Sequence, residues 1–181
     1  ETEPVPEADK PVRPSDAAAF ALRLQSRMRR ELGPEGLAMR IGVHLGEVVV
    51  EENAGALKPL DLFGLQVDAA ARVMSLAGGG QILCTRAVFD NARQVLKGRD
   101  HPGLSPLVWL NHGPYELKGV EEPIEICEVG EEGAGVLRPP EPSEKARPAG
   151  MPAEELGWRP APDGRIPGTE WSLEQRLGEG A

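Results

Sequence analysis

The chain has 181 residues, enough for one domain of ordinary size and a tail. A net charge of −9 leaves no basic face for phosphates, which excludes a nucleic-acid-binding role, and no apolar run approaches the roughly 20 residues that cross a bilayer. Aromatic residues make up only 4%, so the core must rest on Leu, Val, Ile and Ala.

Residues 1–14 carry prolines and acids with no apolar period and read as loop or disordered. No signal peptide is visible in this acidic, Pro-rich opening, and Glu1 in place of Met is read as a fragment boundary. Ser15-Asp16 gives a helix-start signal, followed at helical spacing by Ala17, Phe20, Ala21, Leu24 and Met28 as the expected buried stripe, with Arg23, Arg27 and Arg30 facing away. Gly33-Pro34 and Gly36 end that helix. Strands are expected over 39–44 and 46–51, with a tight bend at Leu45-Gly46 and a loop over 52–60.

A second helix is predicted over about 64–77, with Val67, Ala70, Ala71 and Met74 as its apolar stripe. Gly78-Gly79-Gly80 follows a helix instead of opening one, so it reads as a helix stop and not as a phosphate loop. A short buried strand over 81–85, a third helix over 86–96, and strands over 107–110, 115–117 and 124–129 complete the pattern. Cys84 and Cys127 sit in apolar strands and read as buried free thiols, which fits a reducing cytoplasm. His101 and His112 fall in expected loops with no carboxylate or cysteine constellation, and His44 reads as a structural strand-end residue. From 131 to 168 prolines, glycines and charges dominate, as in a semi-extended linker, and 169–181 regains a strand-like pattern.

Four blocks stand out in order: RIGVHLGEVVVE from Arg40, DLFGLQVDAAAR from Asp61 to Arg72, GQIL from Gly80, and ELKGVEEP from Glu116. Taken alone, Asp68 and Arg72 have the i, i+4 spacing of an ordinary helical ion pair, and Asp61 could serve a turn or helix start. Together the blocks resemble the class III adenylyl and guanylyl cyclase catalytic domain over residues 15–130, lacking its N-terminal, metal-binding part. The resemblance implies an α+β fold: a ferredoxin-like sandwich with helices on a mainly antiparallel sheet.

The same resemblance implies a reaction in which a ribose 3′-hydroxyl attacks the α-phosphate of its own nucleotide and pyrophosphate leaves. Such chemistry depends on positioning and charge stabilisation. Arg72 matches the family arginine that stabilises the α-phosphate. Asp61 matches the base-reading position, where a carboxylate favours ATP over GTP. Asp68 stands where the family carries a ribose-positioning asparagine, and an ionised carboxylate cannot donate a hydrogen bond. Mg or Mn is expected for a complete family domain, but the two metal-binding aspartates and the adenine-reading lysine lie upstream of the matching segment. This chain alone is therefore expected to be inactive, to bind a nucleoside triphosphate weakly, and to form a homodimer. The alternative is a catalytically inactive dimerisation and regulatory module. Trp171 to Gly180 resembles the first strand of a Ser/Thr protein kinase entering its Gly-rich loop, which implies an attached kinase domain.

Overall fold

The computed structural model describes residues 13–52 and 60–151; the expected segment boundaries in 1–12, the 152–168 part of the linker and the kinase-like stretch 169–181 lie outside the described residues. The elements run α1 (Pro14–Leu32), a 3-10 turn (Gly33–Glu35), β1 (Ile41–Val43), β2 (Val49–Glu52), β3 (Leu60–Phe63), α2 (Leu65–Leu76), β4 (Ile82–Thr85), α3 (Arg86–Leu96), β5 (Leu107–Leu117), β6 (Ile124–Glu131) and β7 (Ala146–Pro148). Five strands form one sheet in the order β1-β4-β6-β5-β7, parallel only between β1 and β4, while β2 and β3 form a separate antiparallel ribbon. This is the expected α+β class, with helices on a mainly antiparallel sheet.

Alternation along the central strands sorts the core onto two faces. Ile82, Cys84, Cys127 and Val129 meet α1 and α3, while Leu83 and Ile126 meet α2. Cys84 and Cys127 are buried free thiols and face each other in the β4–β6 register. Burial pushes the Cys127 thiol up to about 11 and Cys84 further still, so both are held as neutral thiols. Trp109 packs edge-on against Phe89 at 5.5 Å in the same layer.

Several expectations need correction. The inward face of α1 is Ser15, Ala18, Ala21, Leu22, Gln25 and Ser26, and Phe20 is 66% exposed. Small residues let α1 lie close against α3, which turns the bulky ring outward. The helix also starts at Pro14 without a side-chain cap; the Ser15 N–H instead donates to Asn91 Oδ1 on α3 at 3.2 Å. In α2 the buried positions are Ala69, Val73 and Leu76; of the expected stripe, Val67, Ala70 and Met74 are half-buried and Ala71 is exposed. The end of the expected loop over 52–60 belongs to β3, which enters its strand at Leu60.

The largest difference lies after Gly130. Residues 131–151 do not form a semi-extended linker: β6 continues to Glu131, β7 pairs with β5 through Tyr115, Glu116 and Leu117, and Ala146 is buried in the core beside Val73 and Leu76. Proline-rich composition suggested an extended segment, but the backbone donors and acceptors of this stretch find partners in the sheet.

Candidate functional site

The site predicted from sequence is built on β3 and α2, joined by Gly64, whose φ of +129° lets the chain turn from strand into helix. Asp61 is paired with Glu51 across the ribbon, and its Oδ1 accepts from the Leu62 N–H at 3.0 Å. Asp68 lies in the first turn of α2 and is exposed; Arg72 lies one turn later and is half-buried. Among the described residues no hydrogen bond or ion pair links these three side chains, and Asp68 and Arg72 do not form the surface pair their spacing allows.

Two contacts seat α2 at the top of β1. Gly42 lies so close to the helix that an added Cβ would stand 2.3 Å from the Met74 backbone nitrogen. His44, at the end of β1, bridges Thr85 Oγ1 (3.1 Å) and Gln66 Oε1 (2.6 Å), joining β1, β4 and the first turn of α2. Gln66 Oε1 can only accept, so the His44 Nε2–H donates to it and Nδ1 faces the Thr85 hydroxyl. The strand-end role expected of His44 is thus a seat for the helix that carries Asp68 and Arg72. α2 ends at Leu76, where Ala77 is already extended, and the glycine run follows in a turn in which Gly80 takes the left-handed φ of +85°.

The surroundings are open. Val49, Val50, Leu62, Phe63 and Leu65 are exposed around the ribbon and the start of α2, Leu65 at 75%. Asp61, Asp68 and Arg72 line none of the clefts of about 370, 320, 310 and 550 Å³. Among the described residues no group of three His, Cys, Asp or Glu side chains could hold a metal ion. No described helix is long and apolar enough to cross a membrane.

Sequence reasoning missed one polar cluster. His112 is not in a loop: it is the extra residue of a bulge in β5, between Asn111 and Gly113, and its Nε2 meets Glu128 Oε2 at 2.8 Å. A carboxylate flanked by Cys127 and Val129 in a buried strand was the available signal. His101 does lie in a loop, bonded to the Leu96 carbonyl at 2.9 Å.

Comparison with known proteins bears on this arrangement. The family model described as the adenylate and guanylate cyclase catalytic domain matches residues 8–124. A receptor-type adenylate cyclase of Trypanosoma congolense is 32% identical over 123 residues, 68% of this chain and 15% of the relative. An adenylate cyclase of Mycosarcoma maydis is 38% identical over 66 residues, 36% of this chain and 3% of the relative. The chain thus spans a small part of the curated relatives it matches. Among solved structures, the adenylyl cyclase CyaB from P. aeruginosa aligns with a TM-score of 0.50 at 18% identity, covering 65% of this chain and 59% of that one. Adenylate cyclases from Trypanosoma brucei in their monomeric state align with a TM-score of 0.51 at 20% identity, covering 71% and 67%. These two likenesses establish the fold. With the family model spanning well over half of its length, the chain belongs to the adenylate and guanylate cyclase catalytic domain family.

Proposed function

We propose that this chain supplies the nucleotide-contacting half of a cyclase site, one that converts a nucleoside triphosphate, ATP in preference to GTP, to a cyclic nucleotide and pyrophosphate. The observation that carries the reading is Arg72: a half-buried guanidinium on a helix seated against the sheet, with no carboxylate partner among the described residues. A permanent cation with a planar fork of donors suits charge growing on an α-phosphate. Asp61 would accept from the exocyclic amino group of adenine, and Asp68 from a ribose hydroxyl. The family's Mg or Mn would need carboxylates from outside the described residues, so no step through a metal is assigned here. The exposed apolar ribbon beside the site supports assembly with a second copy, in the cytoplasm as the sequence suggests. The kinase-like start at Trp171 supports an attached protein kinase as the recipient or source of the signal.

Steady-state kinetics of the complete parent protein test this. Arg72→Ala should lower turnover roughly 100-fold or more with a smaller change in KM, because the charge it stabilises grows in the transition state. Asp61→Asn should relax the ATP preference more than it slows the reaction, and Asp68→Asn, which restores the family's residue, should raise turnover. Equal and small effects from all three would remove α2 from the nucleotide site.

A further inference from the structure

The nucleotide reading leaves the carboxylate of β6 unused. Glu128 is 1% exposed on a central strand, where an unpaired carboxylate is strongly disfavoured. Three donors meet it. Its Oε1 accepts from the Leu137 N–H at 2.8 Å, and its Oε2 from Gln81 Nε2 at 2.9 Å and His112 Nε2 at 2.8 Å. Gln81 is also buried; its Nε2 donates to the Arg138 carbonyl at 2.7 Å, and its Oε1 accepts from the Gly78 N–H at 3.0 Å.

Gly78 lies two residues beyond the end of α2, and Leu137 and Arg138 lie in the segment between β6 and β7. One buried hydrogen-bond cluster therefore holds the C-terminal end of α2 and the chain after β6. Two further observations point the same way. Leu137 is the only non-glycine among the described residues with positive φ, at 50°, a strained position where its N–H is directed to Glu128. Ala146 of β7 packs in the same apolar cluster as Val73 and Leu76 of α2 and Ala77 just beyond it.

We propose that Gln81 and Glu128 form a buried latch through which the segment after β6 positions α2, so that displacing this segment moves the helix carrying Asp68 and Arg72. Its consequence for catalysis rests on the nucleotide reading above; the latch itself stands on the hydrogen bonds. Gln81 touches no reacting group and is a positioning residue. The segment leads on toward residue 152 and the sequence beyond, so a force or a partner acting there would reach α2 through this cluster.

Amide hydrogen exchange of the full 181-residue chain without nucleotide tests the latch. Glu128→Gln keeps the shape and one acceptor oxygen and touches no atom of α2; Gln81→Leu removes both arms of the latch. Each variant should speed exchange at 75–80 and at 137–138 together, by roughly tenfold or more, with 88–96 of α3 unchanged. Faster exchange at 137–138 with 75–80 at the parent rate would overturn the proposal. So would an equal rise in every element, which would mark a loss of global stability alone. Should Gln81→Leu fail to fold, Glu128→Gln carries the test. With no nucleotide present, the result is independent of the kinetics that test Arg72.

Discussion

Substituting Gly42 with alanine is the most direct challenge to the placement of α2. The added Cβ would stand 2.3 Å from Met74 N, 2.5 Å from its Cα and 2.7 Å from its Cβ, whereas ordinary contact begins near 3.4 Å. The obstacle is helix backbone, which cannot rotate away, so α2 must retreat by about 1 Å from β1. That retreat also loosens the packing beneath Val73, Leu76 and Ala77, which are buried against Leu83 and Ile126. Overpacking and lost contact together should cost about 3 kcal/mol. For a chain of this size that lowers Tm by roughly ten degrees. Gly33→Ala is the control. Its φ of −56° suits alanine, and its added Cβ would lie 3.7 Å from Arg29 Cγ, an ordinary contact. The expected effect is close to zero or a gain of about 0.5 kcal/mol from the reduced entropy of the unfolded chain. Thermal melts followed by circular dichroism compare the two. A Gly42→Ala melt within two degrees or so of the parent, or a Gly33→Ala melt lower than it, would refute the close seating of α2 on β1.

Two other outcomes follow from the structure. Burial pushes the Glu131 carboxyl up, but the Ser105 N–H, Arg29 and Ser26 outweigh it and hold it below the usual 4.5; Arg147 does the same for Glu116. Both groups therefore contribute stability above that pH and lose it as pH falls through their lowered values, so urea midpoints should decline from about pH 5 downward, and Glu131→Gln should flatten the decline. The uncovered ribbon should drive self-association, with sedimentation velocity showing mass rising with concentration and Leu65→Asp reducing it; a compact monomer at every concentration would count against a second copy on that face.

How much was legible depended on the kind of signal. The 86–96 helix was read residue for residue, because its apolar period begins directly after a β-branched, buried strand. β5 was read as two pieces, since Asn111 to Pro114 looks like a break. The bulge absorbs the irregularity, and Pro114 falls just before β7 begins to pair on the outer side, where a missing N–H costs no ladder bond. The segment over 131–151 was misread because composition reports only that a stretch is poor in apolar residues. It does not report that Gln81 and Glu128, distant in sequence, supply its hydrogen-bond partners. Asp61, Asp68 and Arg72 were singled out through their motif; nothing in their spacing indicated which would be exposed or whether they would pair.

That last point sets α2 apart from α1 and α3. On α1, Arg27 pairs with Glu31 at 2.8 Å, and on α3, Arg86 pairs with Asp90 at 2.7 Å, both at i, i+4 with the base N-terminal to the acid. That is the less favourable order on a helix, because it opposes the macrodipole. Asp68 and Arg72 have the same spacing in the better order, with the acid in the first turn, yet no ion pair forms between them. Such a pair is worth roughly a few tenths of a kcal/mol, so little is lost when the two side chains stay apart. The helix is seated by His44 and Gln66 at its start and by Gln81 at its end, and Arg72 is half-buried while Asp68 is exposed. A carboxylate and a guanidinium that do not pair leave two separate charges on this helix, which is what the proposed contacts to a ribose and a phosphate would use.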